Sequence, residues 1–543
     1  MIVNLIYFKS ILFSNSLLSC DIFILNFLFN SPKYWAFTKI IFVALSFFSP
    51  LIIFKCIFKF IFSYSSYSKS VNIPKSGLLI GLDVNNDKTY IPEASLYQNI
   101  LVTGAIGSGK TSSALYPFLK QLIFYKNQDL SEKIGFLVLD VKGNFYNQVI
   151  CFSKMANRID DVIIIELNGK YKYNPLDKPN LKSSVIANRL KSILLLFSPN
   201  NSESYWLDVA EQVLESCINI CRAYNDFYVT FEELHKLVTD EEYYSSKLKD
   251  IREIFISGKF SSSEVYDLFS SISYLEKNYF SLDDRTKNIL KSEITRITNC
   301  FISDFNVKNT FCPLKEEENF LGFSDVINSG KIVVLNMNIA EYRNLSKIIA
   351  TYLKLDFQTD VMQRLSNSES TSLLRSVSFI SDEYQEYITE NDADFYAQSR
   401  ESKCINIVST QSYTSLLNAL NNTNSVKVII QNLVNKIWFR SDDIFTIEDI
   451  QKQLGKEEKE KISKTFSENS KETNYNFFTH DFFAINSDLS ESISTSSQFD
   501  FTYDYKFFTQ ELKSFECLAF LSDGMQILKP KKLQMIPYFK NIT

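Results

Sequence analysis

The 543-residue sequence predicts an α/β fold that is interrupted by an all-helical insertion and preceded by a hairpin of membrane-spanning helices. Three observations support this fold class. A glycine-rich loop joins an apolar run to a helical one, several short runs are wholly apolar as in parallel sheets covered on both faces, and a central stretch shows helical periodicity. Because the chain is too long for one core, we expect four parts: a membrane hairpin at 1–63, the α/β domain at 64–181, the inserted all-α domain at 182–310, and the rest of the α/β domain at 311–543.

Composition sets limits on function. The net charge of −5 and the isoelectric point of about 5.5 argue against a wholly basic nucleic-acid coat, although a local basic pore or groove remains compatible with them. The nine cysteines contain no C-x-x-C pair and there are only two histidines, so the sequence argues against a zinc site. Buried free thiols in a reducing compartment are the favoured interpretation of the cysteines.

The N-terminal part contains two apolar runs. The second, from Trp35 to Phe62, includes a core between Lys39 and Lys55 that is long enough to span a bilayer with its flanking lysines at the interfaces. The lysines that follow it place the next domain in the cytoplasm by the positive-inside rule. The first run, from residue 2 to residue 29, is interrupted by two charges, so a second span and a cleaved signal peptide are both open. A non-membrane protein with an apolar N-terminus is the alternative to the whole hairpin.

The α/β domain begins near Gly77, and its first motif is a phosphate-binding loop. The stretch from residue 104 to residue 111 fits the pattern G-x-x-x-x-G-K-[ST]. Its backbone N–H groups would face a polyphosphate at a helix N-terminus. Lys110 would reach the β- and γ-phosphates of ATP, and the Thr111 hydroxyl would bind Mg²⁺. A chance glycine-rich loop is the alternative. The predicted cofactor-binding residues are Gly104, Ala105, Ile106, Gly107, Ser108, Gly109, Lys110 and Thr111.

Further elements follow in order. Ser112–Tyr125 is predicted to be the helix after the loop, and short apolar runs predict strands at 136–140, 162–165, 331–336, 376–381, 405–408 and 436–440. Between them, Thr230 and Glu233 resemble a capping box at the start of one helix of the insertion. Residues 453–498 are charged and serine-rich, which predicts a mobile or partly helical surface segment. Residues 517–521 and 525–528 predict a terminal hairpin around Ser522-Asp523-Gly524.

The strand predicted at 376–381 ends in two acids, Asp382 and Glu383. A phosphate loop needs such a partner, because one carboxylate holds Mg²⁺ and another orients or deprotonates the attacking water. Asp140 also ends a strand and competes for the metal-binding role, but only Asp382 has an adjacent acid. An acidic surface turn is the alternative. We therefore predict Thr111 and Asp382 as metal-binding residues and Glu383 as catalytic.

Two more polar residues lie at suggestive positions. Gln411 ends the next strand, where an amide can sense the γ-phosphate or position water. Arg400 follows a predicted helix and is a candidate arginine finger for a neighbouring subunit's nucleotide. From the residues alone, an ordinary surface arginine and an ordinary strand-end amide are the favoured interpretations.

Taken together, these motifs resemble one family. They occur in the order found in type IV secretion coupling proteins, the TraG/TraD-type conjugative DNA transfer ATPases. The motifs in that order are an N-terminal hairpin, the phosphate loop, Asp140-Val141-Lys142-Gly143, the turn Asn174 to Asp177, a helical insertion opening on Tyr205-Trp206, Asp382-Glu383 and Thr410-Gln411-Ser412. The match covers roughly residues 36–530.

This resemblance implies a RecA-like P-loop NTPase that assembles as a hexamer on the bacterial inner membrane. It implies catalytic roles for Lys110, Glu383, Gln411 and Arg400. The implied partners are relaxase-bound single-stranded DNA or effector proteins, and the channel components of a type IV secretion system. The insertion would select substrates. Asn144 replaces the family's usual acid after Lys-Gly, the predicted periplasmic loop is very short, and the chain is acidic.

Two other functions stay open at this stage. An FtsK/HerA-type DNA pump shares the fold but lacks a helical insertion at this position and carries a basic winged-helix-like domain that this chain lacks. A docking receptor for protein effectors, in which nucleotide only orders the ring, would bind protein cargo and no DNA.

Overall fold

A computed structural model describes residues 77–540, apart from residue 141, residues 198–203, 257–260 and 368–373, and most of residues 470–487. The predicted membrane hairpin at 1–63 lies outside the described residues. Within the described ranges, no helix combines the length and the apolar character needed to cross a membrane.

A single large sheet organises the described part of the chain, where it comprises eleven strands in the order β2-β1-β15-β14-β9-β3-β8-β7-β4-β6-β5. A separate ribbon pairs β10 with β13, and β11 pairs with β12. The strands are β1 Leu78–Leu82, β2 Lys88–Ile91, β3 Ile100–Thr103, β4 Gly135–Leu139, β5 Val162–Ile165, β6 Ile332–Leu335, β7 Val377–Ser381, β8 Cys404–Thr410, β9 Asn435–Phe439, β10 Lys456–Asn469, β11 Asn474–Tyr475, β12 Phe482–Phe483, β13 Asp488–Phe501, β14 Glu516–Phe520 and β15 Lys531–Met535.

The seven strands from β9 to β5 run parallel, whereas β14, β15, β1 and β2 continue the sheet with antiparallel pairings. Strands β3, β4, β6, β7, β8 and β9 are buried along their whole length, which explains why apolar residues predominate in them. Since parallel strands end at one edge, the residues after β3, β7 and β8 are brought together although the chain visits them far apart.

Helices cover both faces of the sheet. The phosphate-loop helix begins with one π-helical turn, Thr111–Leu115, before α2. The helices are α1 Glu93–Leu96, α2 Tyr116–Phe124, α3 Phe145–Met155, α4 Ser183–Leu195, α5 Ser204–Tyr224, α6 Phe231–Thr239, α7 Glu241–Ile256, α8 Ser262–Tyr274, α9 Asp284–Ile302, α10 Phe305–Phe311, α11 Ser324–Ser329, α12 Ile339–Tyr342, α13 Asn344–Asn367, α14 Asp392–Gln398, α15 Tyr413–Leu420, α16 Thr423–Asn432 and α17 Ile444–Leu454.

Helices α4 to α10 occupy the range predicted to be all-helical. The Thr230 hydroxyl accepts a hydrogen bond from the backbone N–H of Glu233, which is the predicted cap of α6. Phe231 and Phe301 stack with their ring centroids 3.8 Å apart. These helices share one apolar core with one face of the sheet. Beside that core, the buried Asp356 carboxylate pairs with Lys178 at 2.9 Å and with Arg189 at 3.0 Å.

The prediction for residues 453–498 was wrong in one respect. The segment is exposed where its side chains are described, but most of it forms a long antiparallel ribbon and not helix: Lys456 pairs with Phe501 and Asn469 with Asp488. The apolar side chains described in these strands are few and mostly exposed, and charged and serine residues dominate, which hides the alternation by which strands are recognised. Inter-strand backbone hydrogen bonds therefore define this element.

The terminal hairpin also differs from its prediction. Strand β14 pairs with β15, not with residues 525–528, and the predicted second strand makes one isolated bridge, Ser522 with Ile527. The carboxylate of Asp523 accepts hydrogen bonds from the backbone N–H groups of Met525 and Gln526, which turns the chain there. The second strand therefore starts only at Lys531.

Candidate functional site

The predicted phosphate loop leaves β3 at the carboxyl edge of the sheet and enters the helix at Thr111, as its sequence pattern requires. The backbone N–H of Ala105 donates to the carbonyl of Arg440 at 2.8 Å, which fixes the loop to the end of β9. At two positions of the loop, glycine is required for steric reasons. A Cβ at Gly104 would lie 2.6 Å from Cβ of Phe439, and Gly109 has φ +104°, a conformation that L residues rarely adopt.

Lys110 is folded against its own loop. Its ammonium donates to the carbonyl oxygen of Gly104 at 2.5 Å and to that of Ala105 at 3.3 Å, and the residue is only 7% exposed. Burial lowers the pKa of Lys110 below its usual value, while Asp382 and Glu383 act in the opposite direction. These two hydrogen bonds keep the ammonium at the start of the loop. Ile106 and Gly107 form the tip of the loop, where Ile106 is exposed.

Thr111 and Asp382 meet although they lie 271 positions apart in the chain. The Thr111 hydroxyl donates to Oδ2 of Asp382 at 2.8 Å. Asp382 is almost completely buried, and this burial raises the pKa of its carboxyl, which Lys142 and the Thr111 hydrogen bond partly oppose. A hydroxyl and a carboxylate in contact supply the oxygen ligands that Mg²⁺ prefers.

Glu383 is held from three sides. Its Oε1 accepts a hydrogen bond from the Lys142 ammonium at 2.6 Å, and its Oε2 accepts from the amides of Gln385 at 2.8 Å and Gln411 at 3.1 Å. Its backbone has φ +49°, in the left-handed region. Burial raises the pKa of Glu383, but the bonds from Lys142, Gln385 and Gln411 outweigh it and the pKa lies below its ordinary value. The carboxylate is therefore ionised at neutral pH.

Asp140, the competing candidate, has a different role. Its carboxylate accepts hydrogen bonds from three backbone N–H groups, those of Lys142 at 2.9 Å, Asn144 at 3.1 Å and Phe145 at 3.2 Å. These bonds close the turn between β4 and α3, so its oxygens are already used by the chain. The geometry thus favours Asp382, which alone of the two contacts Thr111 in the described structure.

Sequence reasoning missed the roles of two residues. The motif pattern gives Lys142 no role of its own, yet Lys142 forms the ion pair with Glu383. Gln385 bridges Glu383 and Thr410, since its Oε1 accepts from the Thr410 hydroxyl at 3.0 Å. The Asp-x-Lys-Gly motif was the available signal for Lys142, but contact with a residue 241 positions away cannot be read from spacing.

The last two predicted residues lie at different edges of the sheet. Gln411 follows β8 at the carboxyl edge and contacts Glu383. Arg400 is exposed and precedes β8 at the amino edge. Because β8 has seven residues, the strand separates Arg400 from the phosphate loop by roughly 20 Å. Arg400 therefore does not belong to the site of its own chain.

Comparison with known proteins gives one sequence match and several structural ones. A family model described as "TraM recognition site of TraD and TraG" matches residues 376–498, a range that includes Asp382, Glu383, Arg400 and Gln411. No curated protein sequence matches significantly. Three solved structures of the coupling protein TrwB have this fold at 12% sequence identity. They are a trigonal form of a bacterial conjugative coupling protein with sulphate (TM-score 0.55, covering 87% of this chain and 91% of that one), a plasmid coupling protein with the GTP analogue GDPNP (0.54, 87% and 91%) and the same protein with ADP and Mg²⁺ (0.54, 86% and 90%).

The chain resembles the type IV coupling proteins. The family model shows this resemblance in the sequence of residues 376–498. The TrwB structures show it in the fold, over most of the length of both chains. The α/β sheet with a helical region between its two sequence halves is thereby confirmed as a coupling-protein fold. At this identity the structures carry no information on individual residues, so the site rests on the geometry described above.

Proposed function

We propose that this chain is an ATP-hydrolysing coupling protein of a type IV secretion or conjugation system. The observation that carries the proposal is the hydrogen bond between Thr111 and Asp382, which joins the two halves of a nucleotide site beside a fixed and ionised Glu383. The TrwB structures with ADP and Mg²⁺ and with nucleotide analogues support the choice of ligand.

Each residue then has a chemical task. The backbone N–H groups of residues 104–111 bind the phosphates and Lys110 neutralises the β- and γ-phosphates. Thr111 and Asp382 would hold Mg²⁺, whose charge offsets that of the phosphates when it is bound. Glu383 orients the attacking water and accepts its proton, and Gln411 holds Glu383 in place. Lys142 keeps Glu383 ionised, so the base is ready at neutral pH.

The wider function rests on the family and on the N-terminal sequence. We propose that residues 1–63 anchor the chain in the bacterial inner membrane with the α/β domain in the cytoplasm. Six copies would form a ring, in which Arg400 of one subunit reaches the nucleotide of the next. The ring would recruit a relaxase with its single-stranded DNA, or a protein effector, and pass it to the channel. The name of the matched family supports an accessory recognition protein as a further partner of residues 376–498.

Hydrolysis is tested on the full chain purified in detergent. We expect ATP turnover in the unaltered protein and a loss of at least about a hundredfold in Lys110→Ala and in Glu383→Gln. Lys452→Ala and Glu448→Gln are matched controls, because they remove the same groups from an exposed pair on α17. Equal turnover in all five proteins would refute the proposal. Crosslinking in cells then separates cargoes, since a DNA-transfer protein is recovered with single-stranded DNA and a docking receptor with protein alone.

A further inference from the structure

The order of strands in the sheet places different residues on the two sides of the phosphate loop. On one side of β3 lie β8 and β7, whose carboxyl ends carry Gln411 and the Asp382–Glu383 pair. On the other side lie β9, β14 and β15. Because β14 is antiparallel to β9, and β15 to β14, the chain enters β14 and leaves β15 at the same edge as the loop. The residues just before β14 and just after β15 are therefore neighbours of the loop.

Phe515, the residue before β14, packs directly on the loop. Its backbone N–H donates to the carbonyl of Ser108 at 3.0 Å. A Cβ at Gly109 would lie 2.6 Å from Cδ1 of the Phe515 ring, so the ring is in contact with the loop backbone. Phe515 also has φ +67°, a conformation uncommon for an aromatic residue. This backbone conformation is held by pairing at both ends, since the Phe515 carbonyl accepts from Met535.

Two more aromatic residues extend this contact after β15. The backbone N–H of Tyr538 donates to the carbonyl of Ser112, the residue after Thr111, at 2.9 Å. The ring centroids of Tyr538 and Phe539 are 5.5 Å apart, and those of Phe539 and Phe515 are 6.2 Å apart. Phe539 is 60% exposed and Tyr538 38% exposed. We call Phe515, Tyr538 and Phe539 the aromatic ledge. It is an exposed apolar surface fixed to both ends of the phosphate-binding turn.

We propose that the aromatic ledge binds the nucleobase of the nucleotide held by residues 104–111. The inference rests on the proposed function. If the terminal phosphate faces Glu383, the polyphosphate crosses the loop away from β7 and β8, and the nucleoside leaves on the side of β9 and β14. The ledge is the aromatic surface on that side, and a base has a flat π face that stacks on such rings. Stacking makes no demand on the hydrogen-bonding edge of the base, so the ledge does not discriminate between bases by that edge.

The test compares a ligand with a base and one without. Binding of ADP and of inorganic pyrophosphate, each with Mg²⁺, is measured by calorimetry on the full chain. We expect Phe539→Ala to weaken ADP binding about tenfold and to leave pyrophosphate binding unchanged. Phe539→Trp keeps a stacking face and should retain the affinity for ADP. Phe305→Ala is the matched control, because Phe305 is also an exposed aromatic, 79% accessible, at the start of α10.

Other outcomes overturn the inference. Equal weakening of ADP and pyrophosphate by Phe539→Ala would show that the ledge only supports the loop. Unchanged ADP binding in Phe539→Ala would show that the base lies elsewhere, with the phosphate site intact. If the unaltered chain bound neither ADP nor pyrophosphate, the proposed function would be refuted, and the proposed role of the ledge would be refuted with it. The pyrophosphate measurement therefore separates the two failures.

Discussion

The ammonium of Lys142 lies 2.6 Å from Oε1 of Glu383, which joins the turn after β4 to the turn after β7. The two residues differ in environment, since the Lys142 side chain is 55% exposed and that of Glu383 is 8% exposed. Burial opposes the charge on Lys142, but its hydrogen bond to Glu383 and the nearby carboxylates raise its pKa. The pair thus places a fixed positive charge beside the proposed general base.

Removing this charge should change the pH dependence of hydrolysis. Lys142 lowers the pKa of Glu383, so in Lys142→Met that pKa rises and a larger fraction of Glu383 is protonated in mild acid. We expect the acidic limb of the kcat profile to move to higher pH, by about one pH unit for each 1.4 kcal/mol of lost interaction. Lys142→Arg, which keeps the charge, is the control. An acidic limb in Lys142→Met that coincides with the original would contradict this role.

A second ion pair, fully buried, lies behind the same turn. The Lys354 ammonium donates to Oδ2 of Asp392 at 2.6 Å and to the carbonyl of Tyr387 at 2.7 Å, and both side chains of the pair are inaccessible. Lys354→Met leaves a buried carboxylate without its partner, so we expect a loss of about 3–5 kcal/mol in the free energy of unfolding.

The double change Lys354→Met with Asp392→Asn provides the control for this prediction. It removes both charges. The Asn oxygen can accept from the Tyr384 hydroxyl, which donates to Oδ2 of Asp392, and the Asn amide nitrogen can donate to the side-chain oxygen of Gln358 once the Gln358 amide is flipped. We expect the double variant to be more stable than Lys354→Met in denaturant unfolding. A double variant that is less stable than Lys354→Met would show that the charge itself is not the source of the cost.

Much of the site follows from local sequence. The phosphate loop is a contiguous motif, and the acids after β7 stand out because a short, mainly apolar strand precedes them. Parallel pairing then brings Gln411 to the same edge. The ion pair between Lys142 and Glu383 could not be predicted, because it depends on β4 lying beside β7 in the sheet. In the sequence these two strands are separated by β5, the helical region and β6. The residue type at the end of a strand gives no information about which other strand lies beside that strand in the sheet.

The misassigned elements have a different cause. The few apolar residues described in the ribbon of β10 and β13 are mostly exposed, and they are sparse among charged and serine residues. The composition therefore favours a polar surface segment over a strand. In the terminal hairpin, residues 525–528 do fold back on Leu521 and Ser522, but they form one bridge and no strand, because the Asp523 side chain holds a turn there. In both cases hydrogen bonds that involve the backbone outweighed the side-chain pattern.

The pairing of Glu318 with Asp177 predicts a dependence of stability on pH. Burial raises the pKa of Glu318 to about 8, with Asp177 adding to the effect. The folded state therefore holds a proton that the unfolded chain releases above its ordinary pKa near 4.5, and this contribution to stability is lost as the pH rises toward 8. In Glu318→Gln, the denaturant concentration at the midpoint of unfolding should fall less between pH 5 and pH 8 than it does in the unaltered chain. Glu317→Gln, a neighbour that is exposed, is the control; parallel pH profiles for both variants and the unaltered chain would contradict the prediction.

Arg400 yields the most demanding prediction, because β8 separates it from the site of its own chain. If Arg400 serves the neighbouring subunit, an Arg400→Ala subunit still has an intact phosphate loop, and a Lys110→Ala subunit still has an intact arginine. Each variant alone should lose about a thousandfold in kcat, as expected for an arginine finger and for a phosphate-loop lysine. A mixed assembly contains interfaces where an intact arginine meets an intact loop, so mixing the two inactive proteins should restore part of the activity. Recovery should grow as the two proteins approach equal amounts. A mixture that stays as inactive as its components, although the proteins co-assemble, would place Arg400 outside the catalytic machinery.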